Sequence, residues 1–241
     1  MSFYQQIAPY YHHIFKINEK QVEFITSRIP KSESKILDIG CGIGTLSFEL
    51  AKHYNNVLGI DMDSEMIRVA LNKKENQSEA VQFNQMSMLD LSTALNKHTV
   101  GGIVCFGNTL VHLKALDEVA DFLQQSKNVL KPKGKLLLQI VNYDRIIENN
   151  VKSLPIIDND VITFKRQYNY RKSENKIDFN TYLTVKSTQQ TIKNTVELLP
   201  LLKNELEELL HKAGFNNLKY YGSFNLEAYT LNSPALIVEA W

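Results

Sequence analysis

Residues 35–51, KILDIGCGIGTLSFELA, set the terms on which this chain can fold. An apolar run with the composition of a buried strand carries Asp38 at its centre. It then breaks into Gly40, Gly42 and Gly44 before turning helical. Glycine within regular structure costs roughly 0.5–1 kcal/mol relative to alanine, and a buried carboxylate without a partner costs on the order of a few kcal/mol or more. A sequence that keeps both features holds something against that turn. Strand, glycine-rich turn and helix start together give a nucleotide-like ligand close backbone approach and free N–H groups.

The alternation continues along the chain. After a helix over 18–29, with Asn18 as N-cap and Val22, Ile25 and Ile29 at helical spacing, come strand 35–39, helix 45–54, strand 56–60, helix 63–74 and a short strand near 81–83. Strand 101–106 and a helix at about 115–130 follow, and KPKG turns the chain into strand 135–141. Strands alternating with helices imply parallel pairing, and near-continuous apolar strands imply burial on both faces. Beyond Asn142 the period changes to two. VITFKRQYNYRK (161–172) puts Ile162, Phe164, Arg166, Tyr168 and Tyr170 on one face, and KIDFNTYLTVK (176–186) and TIKNTVEL follow as further strands. Helix 203–212, closed by AGF (213–215), and strands near 217–221 and 235–240 resume the first pattern. The expected fold is a doubly wound, Rossmann-like, seven-stranded and mostly parallel sheet. Residues 1–150 and 199–241 form its core, and 151–198 form an antiparallel β cap inserted after strand five.

Composition narrows the function. A net charge of +1 argues against a strongly basic nucleic-acid surface. Cys41 and Cys105 make no metal-ligand cluster and read as free thiols, so no metal is expected. No apolar stretch approaches the roughly 20 residues of a membrane span, and MSFYQQIAPYYHHIFK lacks the basic and apolar regions of a leader. The expected location is the cytoplasm, as a monomer or homodimer.

Two cofactors compete for the glycine turn. A dinucleotide fingerprint needs G-x-G-x-x-G, whereas this turn reads G-x-G-x-G with Thr45 in the sixth position. It resembles motif I of the class I S-adenosylmethionine-dependent methyltransferases. The resemblance implies S-adenosylmethionine as cofactor and S-adenosylhomocysteine as product, with Gly40, Cys41 and Gly42 beside the ligand and Asp38 facing its methionine end. VLGIDMD then places Asp61 where the family grips both ribose hydroxyls, with Met62 and Met66 beside the adenine. In FNQMSMLDL, Ser87 stands where the family often has an aspartate accepting from the exocyclic amine, and the Met88 amide is a further contact to the ring. CFGNTLVHL supplies Phe106 and Asn108. This run and VNYDRI (141–146) resemble the glycine and sarcosine N-methyltransferase-like branch. YYHHIF resembles the segment that folds over the cofactor in relatives, with Tyr11 over the sulfonium or as an aromatic anchor for the first helix.

Methyl transfer needs nucleophile, methyl and sulfur in line, with reacting atoms roughly 3–3.5 Å apart, water excluded, and one proton removed from a neutral acceptor. Asn108 and His112 are four apart at an expected helix start and so share a face. His112 is the candidate base, with a histidine satisfied by backbone or cofactor as the alternative. Tyr143, Arg166, Tyr168 and Tyr182 are candidate substrate contacts beside Asn108 and His112. The alternatives are a packing tyrosine at 143 and a snorkelling arginine at 166. In glycine N-methyltransferases an arginine precedes NYD, whereas Val141 stands here. Glycine is therefore not the expected acceptor, and the pocket near Val141 is expected to prefer an apolar group. The sequence reads as a methyltransferase of a small molecule, at nitrogen or oxygen. Its rivals are an RNA or protein methyltransferase, whose Asn-Pro-Pro-aromatic signature is absent from NTLV at 108–111, and a non-catalytic regulatory protein that binds S-adenosylmethionine.

Overall fold

The computed structural model of this chain describes residues 6–15, 17–32, 35–74 and 79–241. Seven strands make the main sheet: β1 (Ile36–Ile39), β2 (Val57–Asp61), β3 (Val81–Gln85), β4 (Val100–Cys105), β5 (Leu130–Val141), β10 (Leu218–Tyr221) and β11 (Ala235–Ala240). Their order is β10-β11-β5-β4-β1-β2-β3, and β11 runs antiparallel to both of its neighbours. The β1 and β4 strands are buried at every residue, as their unbroken apolar runs require. Helices α1 (Tyr11–Ile14), α2 (Glu19–Thr26), α3 (Thr45–Leu50), α4 (Ser64–Lys74), α5 (Leu91–Ala94), α6 (Leu116–Val129), α7 (Tyr143–Glu148) and α8 (Lys203–Lys212) complete the fold with short 3-10 turns. The α2 helix starts where the sequence places it: Asn18 accepts from Lys20 N at 2.9 Å, and the Gln21 side chain accepts from Asn18 N.

Strand order reverses between β1 and β4, and ligands of such sheets bind outside the strands' carboxyl ends at that reversal. At the opposite end, buried Glu239 accepts from Arg28 Nε at 3.0 Å, Lys135 Nζ at 2.5 Å and the Tyr221 hydroxyl at 3.2 Å, tying β5, β10 and β11 to the segment after α2.

Two local expectations are corrected, and one run without an assigned structure gains one. KPKG lies within β5 rather than before it: Lys133 takes φ +70°, and the β4–β5 register shifts between Val100 and Gly102, so the chain bends without leaving the sheet. NYDRI starts a helix, α7, because the Asn142 side chain accepts from Arg145 N at 3.2 Å and caps it. The meander gains a fourth strand.

That second, antiparallel sheet has the order β6-β7-β8-β9, from β6 (Ile157–Asp158), β7 (Ile162–Arg171), β8 (Lys176–Val185) and β9 (Thr191–Leu198). Its register sets Phe164 opposite Leu183 and Ile192, Arg166 opposite Thr181 and Asn194, and Tyr168 opposite Phe179 and Val196. One end of this inner face, with Phe164 and Leu183, packs on Ile7, Ile14 and Tyr11. The other end, with Tyr168, Ile177 and Leu198, belongs to the core that contains Val111 and Tyr143. The β9 end is tied down where Leu199 N donates to Val111 O at 2.9 Å.

Candidate functional site

The loop after β1 is shaped by its glycines and by what presses on them. Gly40 has φ +68°, and a Cβ there would fall 2.4 Å from Thr109 Cγ2, so the β1 and β4 loops pack directly on each other at the strand reversal. Gly42 has φ +54°, and a Cβ there would meet the Tyr11 hydroxyl at 2.8 Å. Tyr11 thus stands over the loop. Gly42 N donates to Asp61 Oδ2 at 2.9 Å, and Asp63 N donates to Asp61 Oδ1 at 2.9 Å. Burial raises the Asp61 carboxyl above the usual range.

Asp38 is 3% exposed and accepts from the Ser47 hydroxyl at 2.6 Å. Burial pushes its pKa up to about 7, and Asp61 adds to the rise. The Cys41 thiol is buried and directed at the Gly42 carbonyl, 3.6 Å away. At the start of α3, Thr45 Oγ1 is buried without a partner.

Across the reversal, Asn108 takes φ +69° and splits its amide. Its Oδ1 accepts from Val141 N at 2.9 Å, and its Nδ2 donates to the Tyr143 hydroxyl at 2.9 Å. Gly107 N donates to Gln139 Oε1 at 2.8 Å. The shared face expected of Asn108 and His112 does not form. Residues Thr109–His112 make a 3-10 turn, and Asn108 precedes it in a left-handed conformation. At three residues per turn, positions four apart do not align. The His112 ring is open to solvent, yet enough protein surrounds it that desolvation lowers its pKa below 6.5. Both hold for a side chain on a concave wall.

Tyr143 is fully buried, and its hydroxyl sits on Asn108. Buried Asn142 donates to Thr230 O, Leu231 O and Ser233 O at 3.0–3.3 Å, so the NYD run staples the segment before β11.

On the β2 side, Met62 is 75% exposed beside Asp61, whereas Met66 is 1% exposed and packs against Ile43 and Tyr11. Met66 therefore supports the loop from below and offers a ligand no open surface. Half-buried Ser87 spends its hydroxyl on Leu89 N at 3.1 Å, and half-buried Met88 follows it. The Phe106 ring turns away into an aromatic cluster with Phe224, 5.0 Å between centroids, and Phe24.

In the second sheet, Arg166 and Tyr168 share the inner face. Tyr168 stacks on Phe179 at 5.3 Å, and Arg166 Nη2 donates to Pro155 O at 2.7 Å. Tyr182 does not join them. It pairs with Lys165 and Lys193 on the outer face, because the register is one residue out of phase with Arg166.

A family model described as a methyltransferase domain matches residues 36–134, the stretch that contains both loops. Residues 36–134 are therefore those of a methyltransferase domain. A ubiquinone biosynthesis O-methyltransferase of Coxiella burnetii is 31% identical over 129 residues, covering 52% of this chain and 51% of that protein. The chain thus matches about half the length of that relative. A glycine/sarcosine N-methyltransferase of Aphanothece halophytica is 24% identical over 217 residues, covering 88% of this chain and 77% of that one. An S-adenosylmethionine-dependent methyltransferase structure from Clostridium acetobutylicum superposes with a TM-score of 0.82 at 15% identity, covering 99% of this chain and 98% of that one. The fold is therefore that of the class I methyltransferases over its full length.

The residues present fit the cofactor of that family. Thr45 Oγ1 is an unpaired buried hydroxyl beside the glycine loop, and Asp38 is a buried acid whose one hydrogen-bond partner among the described residues is the Ser47 hydroxyl. An ammonium group near Asp38 would restore its charged form. Asp61 keeps lone pairs beyond its two backbone bonds, enough to accept from a vicinal diol. Reasoning from sequence missed Ser47, Thr109 and Gln139. Their roles are contacts across the fold, and no local pattern marks them.

Proposed function

We propose that this chain transfers a methyl group from S-adenosylmethionine to nitrogen or oxygen of a small molecule held between the β1 and β4 loops and the inner face of the second sheet. The observation that carries the reading is the closure of that space. Tyr11 stands on Gly42 at one side, its helix packs under Phe164 and Leu183, and β9 is pinned to the β4 loop at Val111. A space roofed by residues of the same chain suits a small acceptor better than a polymer. The named relatives are a ubiquinone biosynthesis O-methyltransferase and a glycine/sarcosine N-methyltransferase, and this agrees with the reading.

When bound, the cofactor supplies an electrophilic methyl on a sulfonium with a good leaving group. The protein's part is placement. Asp61 and the Gly42 amide, already bonded to each other, fix the loop at one end of the ligand, and Asp38 meets a cationic end. Tyr11 and the second sheet exclude water. Asn108 holds the β4 loop to Val141 and Tyr143, so the wall facing the acceptor is rigid before it binds. His112, kept neutral at pH 7, takes the proton that a neutral acceptor must lose.

Incubation with tritiated S-adenosylmethionine and a total cell extract tests this. Label in a product of low molecular weight supports the reading. Label in RNA or protein overturns the small-molecule assignment. Tight S-adenosylhomocysteine binding without transfer makes the chain a binding protein.

A further inference from the structure

Between its two apolar ends, the inner face of the second sheet carries one polar row, Arg166–Thr181–Asn194, running straight across β7, β8 and β9. Arg166 is the only charged residue on the inner faces of these three strands, since the residues facing the same way are Ile162, Phe164, Tyr168 and Tyr170 on β7 and uncharged side chains on β8 and β9. No carboxylate among the described residues pairs with it. Its Nη2 is used by the Pro155 carbonyl, while its Nε is buried with no acceptor. Asn194 Nδ2, at the other end of the row, is likewise buried with no acceptor. Native proteins leave few buried donors unpaired, because each forfeits its hydrogen bonds to water, at greater cost when charged. Here two occur on one row of one sheet, and both are donors. The row lies between the cluster holding Tyr11, which touches the cofactor loop, and the cluster holding Tyr143, which is bonded to the β4 loop.

We propose that this row anchors the methyl acceptor by an anionic group: a carboxylate accepts from the free Nε–H of Arg166, and Asn194 donates to a second oxygen of the same molecule. The inference rests on the methyltransferase reading of the cleft and adds the acceptor's chemistry to it. Adjacent strands lie about 4.8 Å apart, so Arg166 and Asn194 are separated by roughly 10 Å at the backbone. The acceptor is thus larger than a two-carbon acid. The flanking Phe164, Tyr168 and Phe179 provide for an apolar or aromatic body, and half-buried Val141 at the end of β5 is apolar too. The unpaired Nε–H gives a carboxylate a charge-assisted hydrogen bond that a neutral amide does not match.

Phenylacetate and its uncharged amide are the probes, titrated by ligand-observed NMR into the full chain saturated with S-adenosylhomocysteine. Phenylacetate is expected to bind and the amide to bind about ten- to hundredfold more weakly. Arg166→Met is expected to cost phenylacetate the same factor and leave the amide unaffected, with Arg166→Lys recovering part of the loss. Asn194→Leu keeps the test open if Arg166→Met fails to fold, since it removes the second donor and should weaken 4-hydroxyphenylacetate, which carries a further oxygen at its far end, by a smaller factor. Equal binding of acid and amide, no saturable phenylacetate binding, or indifference to both substitutions overturns the proposal. Titration of S-adenosylhomocysteine alone into the same samples separates this failure from that of the methyltransferase reading: if it does not bind, the cofactor site is wrong whatever the acids do.

Discussion

Gly42 N donates to Asp61 Oδ2 at 2.9 Å, so the residue proposed to grip the ribose also fixes the glycine loop after β1. Asp61→Ala removes both functions, and S-adenosylhomocysteine binding should fall by about 1.5–3 kcal/mol, the worth of hydrogen bonds to a charged group. Calorimetry on folded mutant protein checks it. Unchanged affinity would show that the diol lies elsewhere.

Asp38 predicts an opposition between stability and binding. Its carboxyl is raised from 3.8 to about 7, so between those values the folded protein holds a proton that the unfolded chain has released. Stability therefore falls as pH rises through that window and is level above it. Asp38→Asn should flatten this slope and raise the melting temperature above pH 7, while weakening S-adenosylhomocysteine binding. Thermal melts across the window, paired with titrations, provide the check. A mutant that is less stable at every pH would contradict the assignment of burial as the cause.

His112 is held below its ordinary 6.5 by desolvation. If it removes the acceptor's proton, kcat/KM should fall with pH only below that value, as the ring gains its own proton. His112→Gln should abolish that limb and lower kcat by about 10²–10⁴. An unchanged limb in the mutant would assign the base elsewhere.

Asn108 carries load at both ends of its amide. Asn108→Ala leaves Val141 N and the Tyr143 hydroxyl without their partner and puts a Cβ residue with no local hydrogen bond at φ +69°. A loss of roughly 2–4 kcal/mol is expected, which lowers the melting temperature by about 2–4 °C per kcal/mol for a chain of this size. Asn108→Gly, which removes the strain alone, should recover the smaller share. Melting curves of the two variants decide between them.

The parallel core was legible because each β/α unit announces itself locally: the apolar β1, the glycine turn, the acid ending β2 and the capped α2 all follow from neighbours in the chain. The site beyond that core was legible only in part. Arg166 stood out as a cation on an apolar face, but Thr181 and Asn194 gain meaning only once two registers place them in its row. Tyr182 was misplaced for the same reason, since a period of two fixes which residues share a face and leaves open which face turns inward. The pairing of Asn108 with His112 failed because a 3-10 turn has a different period from the α-helix that the spacing assumed.

The claim on which the rest depends is that the loop from Gly40 to Thr45, with Asp61, holds S-adenosylmethionine. Calorimetric titration of the full chain with S-adenosylhomocysteine, with NAD as the contrast, addresses it directly. One saturable site for S-adenosylhomocysteine is expected, weakened by Asp61→Ala, with no comparable heat from NAD. Equal or tighter binding of NAD, or no binding of S-adenosylhomocysteine by folded protein, would contradict it.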